Sequence, residues 1–338
     1  MANENNARIT WVDNGKAIAV LLIVCLHIPT LGIAKSVINS FVIPYFFFLS
    51  GITFKLKEES FFCFCKRKIR TLVIPAIILG KVVLDLLQFV YSAIIGKGYS
   101  INVNKNLIGV FLQMRGGYEY AAWFLICLFS VQIIVYVLLK YILKSESYVL
   151  ACSGCFFIVG CAYSLVIHKV LPWSLDVALI AVSYILLGVY IREKGLIHKL
   201  LSLSNVIIYL FLFIVGNVVL VINNEHVDMW MNQVGNPVFM LMTTVGGAGC
   251  VSFLCDNIKN NFFLDFFGKN SMIIYCLHYF PIYILDSMFE KRSGITVWGI
   301  YFIFTVILTG ILTYIIRNYL PFLAGMNYKK KRCYDEAR

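Results

Sequence analysis

Apolar residues along this chain fall into long unbroken runs, without the strict alternation of a half-buried strand. A helix that crosses a bilayer needs about 20 mostly apolar residues. Ten runs reach that length, near 12–31, 36–54, 72–95, 121–142, 147–168, 173–192, 204–222, 234–255, 269–289 and 295–320. The stretch 101–114 is apolar but short, and reads as an interfacial or re-entrant piece. No internal repeat and no linker to a soluble domain is visible. The pattern predicts an all-α, polytopic membrane bundle of about ten helices. It forms one integral-membrane domain over 1–338, with short tails at about 1–11 and 321–338.

Composition narrows the class. Of 338 residues, 60% are hydrophobic and 14% charged, and the mean hydropathy is +0.83. So few charges cannot cover a water-soluble surface, which excludes a soluble enzyme, a nucleic-acid-binding module and a disordered scaffold. The formal charge of +12 gathers at junctions between runs, chiefly Lys55 to Arg70 and Lys329-Lys330-Lys331-Arg332. Such clusters mark the cytoplasmic face and meet anionic membrane lipids rather than nucleic acid. With the N-terminus inside, the inner junctions hold about twenty Lys and Arg against about seven outside. Both termini are therefore expected in the cytoplasm. The first run lacks a small-residue cleavage site and reads as a retained helix. Most of the eleven cysteines lie within apolar runs, where they act as small hydrophobes. Cys152 and Cys155 lack a second pair or a matching His, so neither a metal site nor a disulfide framework is expected.

Ionisable residues within spans are costly and mark candidate function. The first run opens Trp11-Val12-Asp13-Asn14-Gly15-Lys16 and closes on His27. Eleven residues are close to three helical turns, so Lys16 and His27 share a face about 16 Å apart. Asp13 is one turn before Lys16 and can pair with it. Lys81 and Asp85, four apart, read as a structural pair. Pro44 and Ser50-Gly51 read as kink and close-packing features. The many Phe and Tyr residues are expected to face mostly lipid or the interfaces.

The stretch Trp11 to His27 resembles the opening of the integral-membrane acyltransferase family 3, most closely its fucose 4-O-acetylase-like branch. The resemblance continues, in family order, through Pro44-Tyr45-Phe46-Phe47-Phe48-Leu49-Ser50-Gly51 and Lys66-Arg67-Lys68-Ile69-Arg70-Thr71-Leu72-Val73-Ile74-Pro75. It takes in Trp123-Phe124-Leu125, Leu171-Pro172-Trp173-Ser174-Leu175-Asp176 with Leu187-Gly188, and Gly235-Asn236-Pro237. It ends with Phe267-Gly268-Lys269-Asn270-Ser271 leading to His278. Two departures stand out. Much of the family has Arg where this chain has Lys16, which loses a bidentate fork. Many members carry paired acids in the helix holding Trp123, whereas here Glu119 is the nearest acid.

The resemblance implies an acyl-CoA-dependent O-acetyltransferase that moves acetyl from acetyl-CoA to a sugar hydroxyl of a bacterial surface polysaccharide. The enzyme would sit in the inner membrane and hold no tightly bound cofactor. A sugar hydroxyl needs a base, and His27 suits that role; an acyl-His intermediate stays open beside it. Asp13 and Lys16 complete the expected catalytic set. Lys16, Lys68 and Arg70 are candidates for the CoA phosphates, with Lys66 and Arg67 read as topology signals. Asp176, Trp123, Glu119 and His278 are candidates for the acceptor. Asp176 suits either acceptor hydroxyls or a buried cation, and His278 reads first as a structural hydrogen bond. No extracytoplasmic transfer domain is expected in this chain, so the bundle is expected to handle the acceptor or pass acetyl to a partner. A lipid-linked acceptor, self-association and contact with polysaccharide-assembly proteins are all compatible. The competing class is a transporter or flippase, disfavoured by the missing repeat and the ordered motifs. A sensor with a dead site is disfavoured because Lys16 and His27 are both present.

Overall fold

The computed structural model describes residues 9–29, 32–98, 115, 123–258, 261–289 and 294–326. Among them ten helices are long and apolar enough to cross a membrane. They are α1 Thr10–His27, α2 Ile33–Ile52, α3 Phe61–Ile94, α4 Trp123–Ile142, α5 Glu146–Val166, α6 Pro172–Glu193, α7 Leu203–Ile222, α8 Pro237–Asn257, α9 Ser271–Phe289 and α10 Ile295–Tyr319. A short helix, Phe262–Lys269, precedes α9. The described residues include no named strand, only one isolated bridge between Asp228 and Gln233. The stretch 101–114 and Glu119 lie outside the described residues.

Nine spans match the runs read from sequence to within a few residues; α3 does not. It starts at Phe61, where the Ser60 side chain accepts the Cys63 N–H at 3.3 Å as an N-cap. The basic run Lys66 to Arg70 is thus helical, and not the loop that its charge suggested. Two π-helical stretches, Ile69–Val73 and Ile78–Val83, interrupt α3 around Pro75. Pro75 has no N–H for the carbonyl four residues back, and local widening absorbs that missing bond.

Proline also sets the other breaks. In α2 the helix divides between Asn39 and Val42, because Pro44 cannot bond the Ser40 carbonyl. That carbonyl accepts instead from Thr244 Oγ1 at 3.2 Å and Thr243 Oγ1 at 3.4 Å on α8. In α9, Pro281 frees the Leu277 carbonyl and the helix breaks at His278. Pro29 forces Ile28 into extended backbone, ψ 136°, and ends α1 on His27.

The helices α1 and α6 are the most embedded, with 67% and 72% of their spans buried, against 17% for α7 and α10. Helix α6 packs on α5, α2 and α4, and α1 on α2, α8 and the short helix. The α2–α6 crossing is close because Gly51 rests on the Ile185 carbonyl and Gly188 on the Phe48 carbonyl. A side chain at either position would collide with backbone. The aromatic residues divide more evenly than the sequence suggested: Phe62, Phe211 and Phe262 are exposed, while Tyr45, Phe47, Phe64 and Tyr136 are fully buried. Aromatic rings thus share the interior of the bundle with a larger number of aliphatic side chains.

Candidate active site

The last turn of α1 and the break in α9 bring two imidazoles together. His27 Nδ1 is 2.8 Å from the Ile23 carbonyl, and His278 Nδ1 is 2.7 Å from the Tyr275 carbonyl. A carbonyl only accepts, so both Nδ1 atoms carry their protons. His278 Nε2 therefore holds a lone pair, and it faces His27 Nδ1 at 3.2 Å. The His27 Nδ1–H is shared between Ile23 and His278. His27 Nε2 is left with a lone pair uncommitted among the described residues. Tyr279 flanks both rings, at centroid distances of 4.6 and 4.7 Å. His27 is half-buried and His278 fully buried, so His27 is the member of the pair that a reactant can reach.

This arrangement changes the reading of His278. Its hydrogen bond is structural, as expected, but its other nitrogen orients His27. The sequence could not show this, because 251 residues separate the two and the Pro281 break sets the ring's direction. An imidazolium on His27 would lie at the C-terminal, electronegative end of α1. The pair can thus accept a proton at His27 Nε2 and stabilise the resulting cation.

At the other end of α1, the motif from Asp13 to Lys16 is wedged between two elements. Gly268 of the short helix lies against the Asp13 carbonyl, and Asn14 Nδ2 donates to the Cys255 carbonyl at 3.1 Å. Asp13 and Asn14 are buried, whereas Lys16 is half-exposed. Of the cations opening α3, Arg67 is held by Glu59. The Arg67 hydrogen bond holds the Glu59 carboxyl below the usual carboxylate range. Lys68 lies over the Phe64 ring at 5.3 Å, and Arg70 is exposed. Lys81 and Asp85 form the expected pair, 3.0 Å from Nζ to Oδ1.

The acceptor candidates separate. Asp176 is fully buried and ion-paired with Arg115, while its Oδ1 accepts the Leu171 N–H at 3.3 Å. Of its two sequence-level roles, the structure shows the pairing with a buried cation. Trp123, expected against the acceptor, is also buried, with the Arg115 guanidinium 5.8 Å from its ring. Arg115 went unremarked in the sequence; a lone Arg in an apolar stretch was the available signal. It also donates to the carbonyls of Met229 at 3.2 Å and Trp230 at 2.5 Å. This ties the loop after α7 to the start of α6. Trp173 and Ser174, just before Asp176, hold left-handed backbone at φ 58° and 53°, strain that the packed cluster maintains. Among the described residues, no three His, Cys, Asp or Glu side chains are placed to hold a metal ion.

No curated protein and no solved structure matches the chain. One family model, Acyl_transf_3 (acyltransferase domain), matches residues 9–314. That span runs from the start of α1 nearly to the end of α10 and contains both imidazoles, the Asp13–Lys16 turn and the basic opening of α3. An all-α, multi-pass membrane bundle with paired histidines and this family match agree: the chain belongs to the integral-membrane acyltransferase family 3.

Proposed function

We propose that this acyltransferase moves an acetyl group from acetyl-CoA to a sugar hydroxyl of a bacterial surface polysaccharide or its lipid-linked precursor. The supporting observation is His27, with Nε2 uncommitted among the described residues and Nδ1 fixed by Ile23 and His278. In the proposed reaction Nε2 takes the hydroxyl proton as the sugar oxygen bonds to the thioester carbon. The C–S bond then breaks, and the imidazolium returns the proton to the departing thiolate. Ester and free thiol leave, and His27 is neutral again. Base assistance of this kind contributes about 10²–10⁴ in rate. His278 Nε2 and the Ile23 carbonyl accept from the imidazolium, and charge-assisted bonds of this type are the stronger kind.

The donor would enter at the end of α1 that carries Lys16, near Arg70 and Lys68. With both termini in the cytoplasm, this mouth faces the pool of acetyl-CoA, in keeping with the excess of Lys and Arg on that side. The acceptor would approach from the His27 end. The cell's inner membrane is the proposed location, and the whole chain acts as one domain.

The test uses purified protein in lipid nanodiscs, acetyl-CoA with a radiolabelled acetyl group, and a membrane extract containing polysaccharide precursors. The proposal expects label in a base-labile glycan or glycolipid fraction with stoichiometric thiol release. Thiol release without transfer, or no consumption of acetyl-CoA, would overturn it.

A further inference from the structure

Buried hydroxyls in membrane helices commonly close onto the carbonyl one turn back. Several here do so: Ser130 onto Ile126 at 3.2 Å, Ser183 onto Ile180 at 2.6 Å and Thr243 onto Met240 at 3.0 Å. Three on α10 do not. Thr305, Thr309 and Thr313 are each 0% exposed, and no Oγ1 among them has a hydrogen-bond partner. Leaving a donor and acceptor buried and unused costs stability unless a ligand supplies the missing partner. Their spacing puts all three on one face over about 12 Å.

Two contacts fix the depth of α10 in the bundle. Tyr301, one turn before Thr305, clusters with Val24 of α1, with Ile28 just past its end, and with Ile282 and Leu285 of α9. That is the level of His27. Lower down, Gly310 faces Phe267, whose neighbour Gly268 touches the Asp13 carbonyl. That is the level of Lys16. Successive spans alternate in direction, so α10 runs opposite to α1. The threonines descend beside it from the imidazole pair toward the cation.

We propose that Thr305, Thr309 and Thr313 form a hydrogen-bonding track for the amide-bearing arm of the thioester donor, between its phosphates at Lys16 and its acyl group at His27. This rests on the acetyl-CoA reading above. A hydroxyl both donates and accepts, as an amide's C=O and N–H require; a lipid tail offers neither group. The arm that separates the phosphates of CoA from its sulfur has to cover the distance from Lys16 to His27. With 17% of its span buried, α10 is among the least embedded helices.

The experiment measures binding of CoA, and of 3′-phospho-ADP, which has the phosphates without the arm. It uses wild type, Thr305→Val, Thr309→Val, Thr313→Val, the triple Val variant and the matching Ser variants, all as full chains in nanodiscs. Each Val is expected to weaken CoA binding roughly two- to tenfold, leave 3′-phospho-ADP unchanged, and keep or raise the melting temperature. Ser should restore wild-type affinity. Wild-type CoA binding in the triple Val variant would overturn the track. So would equal weakening of both probes with a lower melting temperature, which marks a packing role. If wild type binds neither probe, the acetyl-CoA reading falls and the track falls with it.

Discussion

The pair Arg115–Asp176 can be broken from either side, and the cost should be large. Both side chains are at most 1% exposed. Asp176→Leu leaves a buried guanidinium with the carbonyls of Met229 and Trp230 as its partners among the described residues. Arg115→Met leaves a buried carboxylate with one backbone N–H among the described residues, that of Leu171. Removing one partner of a buried pair costs about 3–5 kcal/mol, whereas replacing both with apolar residues is often neutral. The Met229 and Trp230 carbonyls would still lose their donor, so Arg115→Met with Asp176→Leu should cost about 1–3 kcal/mol. Independent effects would instead sum to about 6–10 kcal/mol, so the cycle predicts a coupling of several kcal/mol. Each single change would remove a large share of a stability of about 5–15 kcal/mol. Equilibrium unfolding in mixed micelles, followed by tryptophan fluorescence, measures all four proteins. Single variants within about 0.5 kcal/mol of wild type, or a double variant equal to the sum, would refute the reasoning.

Three further outcomes follow from the geometry. His278→Ala should lower kcat about tenfold to a hundredfold with KM for the donor unchanged, because it frees the His27 ring without touching the donor mouth; steady-state kinetics on nanodiscs checks this. Gly188→Ala should destabilise by about 1–3 kcal/mol through overpacking at the α2–α6 crossing, read by the same micelle titration. Burial pushes the Asp228 carboxyl up from its usual value. A raised acid binds its proton more tightly in the folded state, so its contribution to stability is greatest at low pH and declines as pH rises from the unfolded to the folded value. Asp228→Asn keeps the acceptor for the Trp230 N–H and should flatten that decline in melting curves taken across the carboxylate range.

How much of this was legible in the sequence follows from what each feature depends on. Span positions depend on run length, and nine of ten were placed closely. The start of α3 was missed because charge resembles loop, while a Ser60 cap and two π-helical stretches carry the helix through it. Lys16 and His27 could be put on one face of α1 from periodicity alone. The orientation of His27 could not, since it comes from a partner 251 residues away at a proline break. Asp176 was readable as a buried acid, but its partner lies in an apolar stretch that carried no motif. The unpaired hydroxyls of α10 are ordinary threonines in sequence and stand out only when their hydrogen bonds are counted.

The central claim is that His27 is the base of an acetyl transfer to a surface sugar. Its most direct test is the O-acetyl content of the surface polysaccharide, by proton NMR before and after mild base. Three strains are compared: wild type, a deletion, and His27→Ala with membrane expression verified. The account predicts an acetyl signal in wild type that is lost in both altered strains. Loss in the deletion alone would keep the enzyme and reject His27 as its base, and an unchanged spectrum in all three would contradict the account.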